Sequence, residues 1–163
     1  MLDAPVKGIG AVTDGFPMTT TPPVSQDAAL VLGLAGTALP FAGSNQAEAE
    51  RWLRVLRLHG HVGAVLQRMG VTEGPLETMA DPQGAERQQE RRERDEDAVA
   101  KVAEHAAEFA RLRNGTSIST VDVLFGVIRV YDKDFDRALY VRSTDRRELL
   151  DRLSAALPAS FAG

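Results

Sequence analysis

Ile118-Ser119-Thr120-Val121-Asp122-Val123-Leu124-Phe125-Gly126-Val127-Ile128 is the stretch on which the fold of this chain turns. Ser119 is a residue type that caps helix N-termini, and Asp122, three positions on, can return its carboxylate to the cap's own N–H. Apolar residues follow at helical spacing, so the stretch predicts a capped amphipathic helix running through Val130. Upstream, Glu48-Ala49-Glu50-Arg51-Trp52-Leu53-Arg54-Val55-Leu56 repeats the pattern more faintly. A helical unit written twice in so short a chain constrains the fold more than any other feature of it.

The bulk composition sets the outer limits. At 163 residues there is length for one well-cored domain and not for two ordinary ones. Hydrophobic residues at 44% and charged residues at 26% are globular proportions. The net charge of −4 lacks the basic excess that phosphate-backbone binding requires, which argues against a nucleic-acid partner. The absence of cysteine excludes disulfides, thiolate metal sites and a cysteine nucleophile. The longest apolar run, residues 28–42, is interrupted by Gly33, Gly36, Thr37 and Pro40, so no membrane span is expected. No secretory signal pattern opens the chain, and a cytoplasmic location is the expectation.

Working outward from the opening stretch, the chain divides into segments. Residues 1–24 are rich in Gly and Pro and are expected to form a flexible arm. Residues 25–157 are expected to form the domain: a first repeat at about 25–80, a charged linker at 81–97 and a second repeat at about 98–157. Residues 158–163 are a C-terminal tail.

In the first repeat, Ser25 or Asp27 can cap a helix carrying Ala28, Val31, Leu34, Ala35 and Ala38. Gly33 and Gly36 on that helix point to close packing and a buried location. Asn45 with Glu48 resembles a capping box for a helix through Leu58. A short helix at 62–69 ends on Gly70, and Pro75 starts a brief turn at 75–79. The linker holds four arginines and six acids between Gln83 and Asp97. In the second repeat, a long Ala-rich helix ends at Asn114-Gly115 and the opening stretch follows. Asp132 then caps a short helix, and Ser143 or Thr144 caps the last one, with Leu149, Leu150, Leu153 and Leu157. The expected fold is all-α, with eight helices arranged as two four-helix repeats.

The halves superimpose in sequence. Trp52 falls on Leu124, Leu53 on Phe125, Leu56 on Ile128 and Arg57 on Arg129; after one inserted residue Val62 meets Phe135 and Leu66 meets Leu139. Thr72 and Glu73 are then set against Thr144 and Asp145. A four-helix unit buries little apolar surface alone, and a second copy related by a pseudo-twofold supplies the missing face.

The opening stretch, together with Leu66-Gln67-Arg68-Met69-Gly70-Val71, resembles the two-repeat N-terminal domain of Clp-type AAA+ unfoldases. Each repeat of that family has a long Ala-rich helix, a loop and a helix of Gly-Thr-Glu-His-Leu-Leu type. A short helix ending near Leu-Gly-Val follows. The resemblance covers about residues 26–157 and is clearer in the second repeat. It implies protein recognition without catalysis: docking of adaptors and substrates, with a Clp-type ATPase, a protease subunit or a substrate as partner. In some members each repeat binds phosphorylated arginine through the Glu of the Thr-Glu-His motif. That Glu falls on Ala49 and on Val121 here, and neither can accept a guanidinium hydrogen bond. No phosphate-cradling Gly-x-x-x-x-Gly-Lys-Ser/Thr loop occurs, so the resemblance implies a free-standing recognition or accessory module.

Candidate binding residues sit where the second helix of each repeat begins, because a helix N-terminus offers free N–H donors to anionic groups. They are Asn45, Glu48, Glu50, Ser119, Thr120 and Asp122, with Tyr131 as an aromatic anchor between repeats. No catalytic residue, metal site or cofactor is expected. His59 and His61 have no third ligand at a fixed offset, and Asp132, Asp134 and Asp136 lack the glycine and closing Glu of a calcium loop. Trp52 reads as core, aligned with a core leucine. The reading from a different class is a helical partner-binding or DNA-binding regulator unrelated to proteolysis.

Overall fold

The computed structural model describes residues 21–72 and 84–156, and for 84–96 the backbone alone. Seven α-helices are present among them: α1 (Gln26–Ala38), α2 (Asn45–Leu56), α3 (Gly60–Arg68), α4 (Gly84–Leu112), α5 (Thr120–Tyr131), α6 (Lys133–Tyr140) and α7 (Arg146–Ala156). A single 3-10 turn, Leu39–Phe41, links α1 to α2. The fold is all-α. The eighth expected helix at 75–79, the arm up to residue 20 and the tail at 158–163 lie outside the described residues.

Helix α5, built from the opening stretch, is the hub. It packs most extensively along α4 and also touches α1, α2, α3 and α6. The reason is its composition: Val121, Val123, Leu124, Val127 and Tyr131 are all buried, so the helix is apolar on more than one side. Gly126 lets α4 approach closely, since a Cβ there would lie 2.6 Å from the Val102 carbonyl oxygen. Phe109 and Phe125 complete that seam with ring centroids 5.4 Å apart. Around the hub, α2 packs on α6, and α3 packs on α7. One core joins all of them, with Trp52, Phe135, Leu56, Leu66, Leu139 and Leu149 among its largest members.

Several helix ends differ from the sequence expectation. Ser44, not Asn45, caps α2, its Oγ accepting the Ala47 N–H at 3.1 Å. Ser25, one of the two expected candidates, does cap α1, its Oγ accepting the Ala28 N–H at 3.2 Å. Asp145, rather than Ser143 or Thr144, takes the corresponding place at α7, accepting the Glu148 N–H at 2.8 Å. Thr144 is buried instead and donates its hydroxyl to Glu148. The charged stretch expected as a linker is helical from Gly84, so α4 runs 29 residues. At 1.5 Å per residue that is ~43 Å.

Helix α1 departs most. Gly33 and Gly36 are exposed, and a Cβ at either would meet nothing within 4 Å. They do not mark a tight helix crossing. Ala28, Val31 and Ala35 form the buried face, while Leu30 and Leu34 point outward.

Three helices close by one hydrogen-bonding pattern. After α3, Gly70 adopts φ +78° and the Val71 N–H donates to the Leu66 carbonyl at 3.0 Å. After α4, Asn114 at φ +56° lets the Gly115 N–H reach the Ala110 carbonyl at 2.8 Å. After α6, Ser143 at φ +63° lets the Thr144 N–H reach the Leu139 carbonyl at 3.2 Å. A left-handed residue past the helix end turns the chain so that an orphan carbonyl is satisfied.

Candidate recognition surface

The beginning of α5 is built by three side chains. Ser119 Oγ accepts the Asp122 N–H at 3.3 Å, and Asp122 accepts the Ser119 N–H at 2.8 Å, so the capping box expected from sequence is present. Arg113, past the end of α4, then clamps the same carboxylate with Nε to Oδ1 at 2.9 Å and Nη2 to Oδ2 at 2.5 Å. Its Nη2 also donates to the Ser117 carbonyl at 2.8 Å. The guanidinium is held above its ordinary pKa by the hydrogen bond to Asp122, partly opposed by burial. Asp122 itself is fully buried. The loop preceding α5 is fixed from a second direction by Val24, which pairs in a parallel bridge with Ile118. The Ile118 N–H donates to Pro23 and the Ser25 N–H to Ile118.

The expected binding residues are therefore distributed unevenly. Ser119 and Asp122 are occupied by each other and by Arg113. Thr120 is buried against Gly60, whose φ of +70° and contact with the Thr120 side chain leave no room for a Cβ. Glu48 accepts the Tyr131 hydroxyl at 2.7 Å, and Tyr131 in turn accepts the Trp52 indole N–H at 3.1 Å. Glu50 pairs with Arg142 at 3.4 Å, and Arg142 also donates to the Ala138 and Thr72 carbonyls. Tyr131 is buried rather than groove-lining; Tyr140 is the exposed tyrosine, at 78%. Of the named residues only Asn45 is exposed. The structure thus gives most of this set a role in joining helices: Glu48, Glu50 and Tyr131 tie α2 to α5 and to the end of α6, Ser119 and Asp122 tie α5 to the end of α4, and Thr120 packs α5 on α3.

The outward surface is made by other residues. Leu30 and Leu34 on α1 and Phe41 at the 3-10 turn are exposed, with no charged residue between Ala28 and Gly43. On the opposite half, α6 and α7 form an open groove of about 800 Å³ lined by Arg137, Tyr140, Arg147 and Leu150 among others. Arg146 at its edge is bound to Asp132 at 2.7 Å and to Asp136 at 2.8 Å, and those two carboxylates hold its pKa above the ordinary value. Nothing in the local sequence pattern marks Arg113, Arg142 or Arg146. Each reaches its carboxylate across a helix junction, where no fixed spacing operates.

Arg51 stands apart from these pairs. It is 7% exposed, its Nη2 donates to the Phe41 carbonyl at a long 3.3 Å, and its Nε is buried without a partner. Burial, and then the charge of Arg54, push its pKa down. His59 is half-buried at the start of α3 and His61 is exposed. Among the described residues, no three His, Asp or Glu side chains converge as a metal site, and no helix is long and apolar enough to cross a membrane.

No protein-family model matches this chain, and no curated protein shows significant similarity to it.

Proposed function

We propose that this chain is a non-enzymatic protein-recognition module. It is built as two helical repeats about a pseudo-twofold, resembles the Clp N-terminal domain, and acts as adaptor, regulator or accessory of a Clp-type unfoldase or protease. The observation that carries the reading is the matched pair α3 and α6. They start at Gly60 and Lys133 and close on Gly70 and Ser143, with the same Val71-to-Leu66 and Thr144-to-Leu139 hydrogen bonds. The offset is 73 positions throughout, which supports a duplicated unit and pairs Val71, rather than Thr72, with Thr144. Exchange between the halves, α2 on α6 and α3 on α5, is the packing that a pseudo-twofold requires.

The recognition role draws its support from the surface. Ala49 and Val121, at the family's acidic positions, are both buried, so a phosphoarginine pocket on the family's pattern has no place here. The uncharged outward side of α1 with Leu30, Leu34 and Phe41 is the better docking face, because exposed apolar area without charge favours protein contact.

Pull-down with the purified full chain tests the reading, comparing wild type with a Leu34→Asp/Phe41→Asp variant whose helicity and melting are first shown to be intact. Recovery of a Clp-type ATPase, protease subunit or their substrates by wild type and not by the variant is the expected result. Recovery of none of these by wild type overturns it.

A further inference from the structure

Arginine side chains supply their own internal standard in this protein. Arg113 and Arg146 each present the Nε–Nη2 edge of the guanidinium to both oxygens of one carboxylate, Asp122 and Asp136 respectively. This parallel, two-point arrangement is the strongest pairing the group makes. Arg51 presents the same edge and has no carboxylate on it. Its Nη2 reaches only the Phe41 carbonyl, at 3.3 Å, and its Nε reaches nothing.

The unpaired Nε lies inside the protein, not at its surface. Arg51 is the one cation among the described residues that is buried as a whole residue, and its Nε is the one buried side-chain polar atom among them without a partner. Leaving a charged donor dry and unpaired is costly, because desolvation is uncompensated. The acids on its own helix are engaged elsewhere, Glu48 with Tyr131 and Glu50 with Arg142. The charge that acts on it is that of Arg54, another cation, which favours an anion beside it. The element it bonds to is the three-residue 3-10 turn, which is uncharged and in which Phe41 is 68% exposed.

We propose that Arg51 is a receptor for an oxyanion, a carboxylate or phosphate group, which takes the Nε–Nη2 edge and replaces the Phe41 carbonyl on Nη2. Phe41, whose carbonyl is displaced, is itself exposed and offers apolar surface to a neighbour of that group. An acidic group beside an apolar one is thus the chemistry the site fits. The assignment rests on Arg51 and its surroundings alone and does not depend on a Clp-type partner.

The test uses the full chain, titrated separately with sodium phosphate and sodium acetate at ionic strength held constant with sodium chloride. The Arg51 Nε–H cross-peak is observed by 1H–15N NMR and assigned by its loss in Arg51→Lys. The expected result is saturable movement of that cross-peak with at least one of the two anions. A tenfold excess over the half-saturating concentration raises the thermal midpoint by about 3–6 °C. Arg51→Met, which removes the charge and keeps the stem, loses the midpoint shift; Arg51→Lys weakens it about tenfold or more. Response to acetate alone identifies a carboxylate receptor, response to phosphate alone a phosphate receptor, and response to both a general oxyanion site. A cross-peak that moves with neither anion, or an equal midpoint shift in Arg51→Lys or Arg51→Met, overturns the assignment.

Discussion

Trp52 donates its indole N–H to the Tyr131 hydroxyl at 3.1 Å across 79 residues of sequence, and Tyr131 donates onward to Glu48 at 2.7 Å. Both aromatic rings are buried, so this short relay satisfies polar groups that would otherwise sit dry in the core. It also fixes where the end of α5 meets α2. Tyr131→Phe leaves the indole N–H unpaired with little change of shape. The expected loss is about 1–3 kcal/mol in urea unfolding, with a change in emission from the single tryptophan.

Asp122 is the second internal anchor. Its substitution by Asn removes a charge partner from Arg113 and weakens the capping box at once. Breaking a buried pair costs roughly 3–5 kcal/mol. The lower end is expected, because Arg113 keeps 22% of its side-chain surface in water. The Arg113 guanidinium is raised by its partner, so its contribution is fully present below the ordinary arginine pKa and is lost only as pH rises through the higher folded value. The destabilisation by Asp122→Asn is therefore the same at about pH 7 and about pH 9. A penalty that disappears by the upper pH contradicts this.

Ser143 sits at φ +63° in the turn after α6, where Gly70 occupies the matching turn after α3. A side chain there carries a strain of roughly 1–2 kcal/mol that glycine lacks. Ser143→Gly is expected to stabilise by about 1 kcal/mol, seen as a rise of roughly 2–4 °C in the melting midpoint.

Two Gly→Ala substitutions are expected to act in opposite directions. At Gly33 the added methyl meets open space within a helix, and stabilisation of about 0.5–1 kcal/mol follows from helix propensity. At Gly126 it would stand 2.6 Å from the Val102 carbonyl and wedge α4 from α5, for a loss of about 1–3 kcal/mol. Thermal unfolding of the two variants side by side checks both signs, and a stabilised Gly126→Ala would mean that the α4–α5 seam is looser than described.

These anchors explain why part of the candidate site was legible in sequence and part was not. The capping box of Ser119 and Asp122 is a three-residue spacing, and such a spacing is legible in the sequence. The further engagement of Asp122 by Arg113, of Glu48 by Tyr131 and of Glu50 by Arg142 spans 9, 83 and 92 residues. No local spacing encodes such pairs. Residues that look available on an isolated helix are consumed when helices meet. Charge reversal at Glu48, Glu50 or Asp122 would thus disturb the fold rather than report on a partner, and the outward side of α1 is the place to probe recognition. Gly33 and Gly36 face open space for a related reason: small residues permit close packing, yet nothing in the helix itself says whether a neighbour uses the space.

The sequence by itself determined the all-α class, the capped helix α5, the core position of Trp52 and the break at Gly70, because periodicity, caps and left-handed turns are local physics. The tertiary structure alone decided that α5 is the hub and that three arginines lock the helix junctions. It also decided that Arg51 is buried with an unfilled hydrogen-bonding edge. Those outcomes depend on which surfaces meet and which charges lose their water, and that is settled only when distant segments pack together.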